Sequence, residues 1–279
     1  MQKSFDLRTA RTDDFGELKK LWSSCFDDPA EVIDAFFEKT VTPENVVAVF
    51  DGNEAISSAY LLESEIKIDG VKHKAFYIYA VCTEKRYRGK GLMRNVLAFC
   101  EKSARERNAD YIFLVPANDG LFKMYEKIGF KVGFTFKEET VEKSDFSSDC
   151  DSSACNRTVE LTYERYLSFR GDFSENTALA SLKEKAFSSF YFPVGESVVC
   201  LCNGNGYAVY ESENGNVTVY ELFGDEKSLL NSVFESCGKD KLILRKPSPC
   251  GDGVPFGMYR ALGNVPKIKD AFFGIPYGV

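Results

Sequence analysis

The amino-acid sequence predicts a mixed α/β protein built on an open sheet and divided into two units. Three observations lead there. Runs of apolar residues meet at Asp-Gly turns, the mark of meandering antiparallel strands. Later runs alternate with helical segments of period 3.6, which calls for helices packed on a mixed sheet. The 279 residues exceed the usual size of one core, and a Ser- and Asp-rich stretch near the middle has little to bury.

The elements follow in chain order. Phe15, Leu18, Leu21, Trp22 and Cys25 recur at helical spacing behind Thr12 or Asp13 as a cap, and a second helix fits 29–40 with Pro29 near its first turn. The period then becomes two. Residues 45–62 read as two strands joined at Asp51-Gly52-Asn53, and 64–83 as two more joined at Asp69-Gly70. A helix from Leu92 places Leu92, Val96, Leu97 and Cys100 on one face. A buried strand at 111–118, a helix ending at Gly129 and a strand from Lys131 complete a first unit, residues 1–142.

Residues 143–156 read as a linker or long loop, and 157–279 as a second unit. There a helix is expected across 174–190 with Ser174 as its cap, then hairpins at 203–206 and 214–216, a helix over 226–237, and strands at 241–245 and 256–262. The order is a shortened echo of the first unit without a residue-level repeat.

Composition excludes several classes of function. Hydrophobic residues make up 44% and charged residues 28%, and no stretch approaches the ~18 apolar residues of a membrane span. The N-terminus has no apolar signal region, so a cytoplasmic protein is expected. A net charge of −7 argues against nucleic acid as the partner and is compatible with a cationic substrate. The nine cysteines are odd in number and partly embedded in apolar runs, which suits a reducing compartment. With His73 the single histidine and no knuckle spacing among the cysteines, no metal is expected.

The chemistry concentrates at "YRGKGLM", Tyr87 to Met93, three residues after the apolar run "AFYIYAVCT". A strand that opens into a helix through Gly89 and Gly91 leaves the first amides of that helix without internal partners. Arg86, Arg88, Lys90 and Arg94 surround them, and the helix dipole favours negative charge there. On the turn alone, an anion site and a solvated basic turn both remain open. The three glycines of a dinucleotide fold and the Gly-Lys-Ser/Thr of a nucleotide phosphate loop are absent.

The wider context resembles the GNAT family of acyl-CoA-dependent N-acetyltransferases. Its pyrophosphate loop reads Arg/Gln-x-x-Gly-x-Gly/Ala after the fourth strand, and "AVCTEKRYRGKGLMRNVL" carries the likeness. Arg86-x-x-Gly89-x-Gly91 fits the letters. The register from Tyr87 to Met93 fits the commoner family phrase, with Met93 in place of the final glycine, as in the Eis-like branch with its two fused GNAT domains. The late motif is also present: Asn118, then Tyr125, then Gly129-Phe130. This implies a GNAT fold in the first unit and a degenerate GNAT-like second unit.

The resemblance implies acetyl-CoA as cosubstrate. It would be held along the strand by Ala80, Val81 and Cys82, and at the turn by Arg88, Gly89, Lys90, Gly91, Leu92, Met93 and Arg94. Asn118 and Phe122 would line its path. Tyr125 matches the general acid, and a phenol of pKa ~10 is suited to donate at neutral pH. The terminal carboxylate of Val279 matches the base of Eis-like members. Glu63, Glu65, Asp27 and Asp28 are candidates by position alone.

Read without the family, Tyr125 and Phe122 fit a buried helix face, Asn118 a helix cap, and Cys82 strand filling. The second unit shows "LFGDEKSLL" where a glycine turn would stand, and Asp225 and Glu226 would repel phosphate. The expected function is therefore an N-acetyltransferase acting on a primary amine of a small molecule or peptide, by direct attack. The alternative is a non-catalytic acyl-CoA-binding or regulatory protein of the same family.

Overall fold

Strand pairing in the computed structural model runs through both halves of the chain, joining them in one mixed sheet. Described are residues 4–146, 159–170, 177–180, 198–204, 206–213, 215–248, 251–268 and 272–273. The first half supplies β1 (Asp6–Thr9), β2 (Val46–Asp51), β3 (Glu54–Ile68), β4 (Val71–Thr83), β5 (Tyr111–Leu114) and β6 (Lys131–Glu142). The rest supplies β7 (Val159–Glu160), β8 (Thr177–Ala180), β9 (Val198–Asn203), β10 (Gly206–Glu213), β11 (Asn216–Gly224), β12 (Lys241–Pro247), β13 (Val254–Ala261) and β14 (Phe272–Phe273).

The sheet order is β1-β2-β3-β4-β5-β13-β6-β12-β11-β10-β9-β7. Two runs within it have the same design. β2, β3 and β4 meander antiparallel, and β4 then pairs parallel to β5 after the crossover helix α3 (Leu92–Glu106). β9, β10 and β11 do the same before the parallel partner β12, reached through a helix over Glu226–Cys237. Between the runs stand β13 and β6, and each is seated across the chain from its neighbours in sequence. β13 pairs with β5, and β6 pairs with β12. Pairing thus crosses the expected boundary after residue 142 in both directions.

Two apolar layers sandwich the first run. On one face α1 (Phe15–Cys25) and α2 (Ala30–Lys39) bury Leu18, Leu21, Trp22, Ile33, Phe36 and Phe37. Trp22 sits at the centre, its ring 5.0 Å from Phe36 and 5.2 Å from Tyr60. Asp28 satisfies the indole by accepting from Nε1 at 2.7 Å, so the ring can be buried without an orphan donor. On the other face α3 turns Leu92, Val96, Leu97, Cys100 and Ala104 inward against Phe76, Ile78 and Ile112, and α4 (Asp119–Lys127) adds Tyr125. α5 (Tyr163–Arg170) precedes β8, and the helix over Glu226–Cys237 is α6.

Two expectations change. β1 is an additional edge strand, too short at four residues to show a period. Residues 177–180 form β8 rather than continuing a helix from Ser174, which itself lies outside the described residues. The physical reason is an edge. β2 covers β3 only as far as Tyr60, and β8 takes the bare stretch Ser64–Lys67, where ladder hydrogen bonds override local helix preference.

Candidate active site

The site begins where two parallel strands part. β4 pairs with β5 over Ala75–Tyr77 only, although β4 runs on to Thr83. Past Tyr77 its backbone has no β5 partner. The departure is built by a bulge: Ser58 opposes Cys82 and Tyr60 opposes Tyr79, so Ala80 and Val81 face the single residue Ala59. Ala80 sits at φ 47°, a left-handed conformation uncommon for alanine. Beyond the bulge, Ser57 Oγ donates to the Cys82 carbonyl at 2.8 Å and fixes the strand again.

Next comes the turn. Gly89 and Gly91 both adopt left-handed backbone, at φ 78° and 77°, where glycine carries no Cβ penalty. Gly91 is the N-cap of α3, and no side chain caps the helix. Asn95 donates the first bond back to Gly91, and none of the amides from Gly89 to Arg94 donates to a backbone carbonyl among the described residues. A Cβ at either glycine would meet nothing within 4 Å, so the turn is uncrowded on that side. That is the arrangement an anion needs.

The four cations divide. Arg86 is committed to Glu54 at 2.6 Å and Glu84 at 3.2 Å. Arg88 donates Nε to the Thr83 carbonyl at 3.0 Å, which ties the turn to β4. Lys90 lies over the Tyr87 ring at 4.7 Å, and Tyr87 is pinned by its hydroxyl to Asp51 at 2.7 Å. Arg94 is exposed on the first turn of α3 and carries no ion pair among the described residues. Arg94 and Lys90 are thus less committed than Arg86 to carboxylates of the protein itself.

α4 closes the other side. Asn118 is its N-cap, its side chain accepting from the Leu121 amide at 3.1 Å. Phe122 is half-buried among the apolar residues beneath α3 and α4. Tyr125 is 4% exposed, edge-on to Phe130 at 5.7 Å, and lies within electrostatic reach of Tyr77, the residue at which β4 leaves β5. Burial pushes its phenol up to about 12. It therefore remains a proton donor throughout the neutral range.

The structure brings Ala80, Val81, Cys82 and residues 88–94 together along one path, with Tyr125 beside the parting strands. Val279 lies outside the described residues. Glu63 pairs with Arg107 at 2.9 Å and Glu65 with Lys72 at 3.0 Å, remote from the turn. Asp28 serves Trp22. His73 bonds Asp110 at 2.9 Å. Among the described residues no group of three or more His, Cys, Asp or Glu side chains is placed to hold a metal, and no helix is long and apolar enough to cross a membrane.

Sequence reasoning missed Ala80 as a bulge residue and Tyr77 as the branch point, because neither residue type announces a register shift.

The second run of strands offers an internal contrast. At the same topological position α6 begins with Asp225, whose carboxylate accepts from the Ser228 amide at 2.8 Å. That helix start is filled by its own side chain. Among the described residues only α3 presents an uncapped, glycine-led N-terminus after a bulged strand.

Residues 6–133 match the family described as an acetyltransferase (GNAT) domain. No curated protein matches the sequence. Among solved structures, the fold is similar to a GCN5-related N-acetyltransferase from Kribbella flavida, at 14% identity and a TM-score of 0.71, covering 92% of this chain and 71% of that one. A probable N-acyltransferase from Enterococcus faecalis V583 aligns at 12% identity and a TM-score of 0.73, covering 93% and 73%. Eis1 from Mycobacterium abscessus aligns at 11% identity and a TM-score of 0.63, covering 93% and 74%. With the motifs, the parted strands and the open helix start in agreement, residues 6–133 are similar to a GNAT acetyltransferase domain, and more than nine-tenths of the chain shares the fold of these solved structures.

Proposed function

We propose that the protein is an acetyl-CoA-dependent N-acetyltransferase that acylates a primary amine of a small molecule or peptide by direct attack. The observation that carries this reading is the uncapped start of α3, whose amides follow directly on a strand freed from its neighbour. Residues 1–142 hold the cosubstrate. The degenerate unit, 157–279, contributes β13 to the same sheet and binds no coenzyme A of its own, because Asp225 occupies the equivalent helix start.

Acetyl-CoA supplies an activated acyl group as a thioester. The fit to this chain is an anion on the amides of residues 88–94 with Lys90 and Arg94 beside it, and an extended pantetheine along Ala80 to Cys82. Asn118 and Phe122 line the α4 side. An N–H of Val81 or Cys82, aimed at the thioester carbonyl, stabilises charge that grows on its oxygen as the amine attacks. Tyr125 Oη donates to the departing sulfur. With the phenol at about 12 and an ordinary thiol near ~8.5, full transfer would be uphill, so the thiolate would leave hydrogen-bonded to Tyr125 and take its proton later from solvent, while the proton shed by the attacking nitrogen passes to water.

The test has two steps. Acetyl-CoA should raise the melting temperature in a concentration-dependent way while ATP and NAD do not. Thiol release across polyamines, aminoglycosides, peptide N-termini and lysine analogues then identifies an acceptor. An acetyl-CoA shift with no thiol release for any amine would favour the non-catalytic alternative, and no shift would end both.

A further inference from the structure

The acyl path and the glycine turn are joined through one side chain of β3. After Tyr77 β4 keeps a single neighbour, because β5 pairs no further, and beyond the bulge only Cys82 and Thr83 still oppose β3, at Ser58 and Ser57. Two register pairs are a slender hold for a strand end that must present its backbone to a ligand. Ser57 reinforces it. The residue is buried, and its hydroxyl donates to the Cys82 carbonyl at 2.8 Å.

A serine hydroxyl carries one proton. With that proton engaged by Cys82, the second contact of Ser57 Oγ, to Thr83 Oγ1 at 2.8 Å, runs the other way, with the threonine donating. The Thr83 carbonyl in turn accepts from Nε of Arg88 at 3.0 Å. One oxygen atom on β3 thus grips two consecutive residues of β4, and the second of them holds the glycine turn.

The Cys82–Thr83 peptide is trans, so its N–H lies opposite its C=O. Anchoring the Cys82 carbonyl on the β3 side therefore turns the Thr83 amide toward the side that β5 has left open. The next amide, that of Glu84, points back to β3 and donates to the Ile56 carbonyl at 2.9 Å, as the alternation of an antiparallel ladder requires.

We propose that Ser57 is a positioning residue for acetyl-CoA: it fixes the Cys82–Thr83 peptide so that the Thr83 amide meets the pantetheine arm where β4 stands alone. Ser57 touches no reacting atom itself. The inference rests on the acetyl-CoA reading above and adds to it a residue of β3 that lies outside the glycine turn and outside α4.

The experiment compares the full chain and its variants by calorimetry with two ligands, acetyl-CoA and 3′-phospho-ADP, the portion of it that lacks pantetheine. Ser57→Ala should weaken acetyl-CoA about tenfold and leave the fragment unchanged, because the strand end is loosened while Arg88 still holds the turn to Thr83. Ser64→Ala is the control for burial. It too removes a buried hydroxyl of β3 that donates to a backbone carbonyl, that of Leu62 at 3.1 Å, but it lies opposite Ala75, where β4 is still paired to β5. It should lower the melting temperature and keep acetyl-CoA affinity.

Thr83→Val deletes the second hydrogen bond without opening a hole and should weaken acetyl-CoA about threefold, whereas Thr83→Ser should stay near wild type. Should Ser57→Ala fail to fold, the Thr83 pair decides alone. Wild-type affinity in Ser57→Ala and Thr83→Val overturns the proposal, and so does an equal loss for acetyl-CoA and the fragment, which would place the damage at the turn or in the fold at large. A wild-type protein that binds no acetyl-CoA refutes the function proposed above, and the positioning role falls with it.

Discussion

Arg260 of β13 forms an ion pair with Glu101 of α3, tying the late strand to the helix that starts at the glycine turn. The same carboxylate takes Arg105 at 2.8 Å, and Arg105 also reaches the Leu262 carbonyl. Burial works to raise the Glu101 carboxyl, but the two arginines outweigh it and hold it below the usual range. A depressed carboxyl contributes stability that is full above its unfolded value of ~4.3 and is lost as pH falls through the lower folded value. Glu101→Gln should cost about 1.5–3 kcal/mol at neutral pH and flatten the acid limb of stability, read by urea unfolding from pH 7 down to 3. An unchanged acid limb would mean the pair is incidental.

Gly91→Ala tests the turn. Nothing crowds a Cβ there, so the cost to the fold is torsional, about 1–2 kcal/mol for a left-handed alanine. Gly215 is equally left-handed and equally uncrowded, at φ 84°, but lies in the β10–β11 turn. Both variants should lose similar stability, and only Gly91→Ala should weaken acetyl-CoA binding. Equal affinities by calorimetry would remove the turn from the site.

Tyr125→Phe keeps the ring against Phe130 and deletes the donor. Turnover should fall by roughly 10²-fold while acetyl-CoA affinity holds. The wild-type pH profile should show no alkaline loss from this phenol until well above the ~10 of a free tyrosine, because its folded value is about 12. Unchanged turnover would make Tyr125 a packing residue.

Asn118 separates capping from coenzyme contact. Asn118→Ala should cost about 1 kcal/mol through the lost bond to Leu121, and Asn118→Asp should restore it. If acetyl-CoA affinity follows stability through both variants, the side chain acts by capping α4.

Much of this was legible in the sequence wherever the cause is local. Asp51-Gly52 and Asp69-Gly70 dictate hairpins, Gly89 and Gly91 dictate a left-handed approach to a helix, and Asn118 and Asp225 are caps by residue type. What was hidden depends on partners remote in the chain. Ala80 is strained by a register shift against Ala59, and alanine itself gives no sign of it. Arg86 looks like a phosphate ligand until Glu54 claims it. Thr177–Ala180 is a strand because β3 outruns β2.

The seat of β13 between β5 and β6 also governs how the polypeptide can be made. When β6 has emerged from the ribosome, the edges of Leu114 and Phe136 that β13 will join are still bare, and roughly a hundred further residues must be translated first. At ~5–20 residues per second that delay lasts on the order of 5–20 s, during which the nascent chain displays two sticky borders. Completion of the sheet is therefore a late event in biosynthesis, and a stalled or prematurely terminated product would be a substrate for chaperones rather than a working fragment.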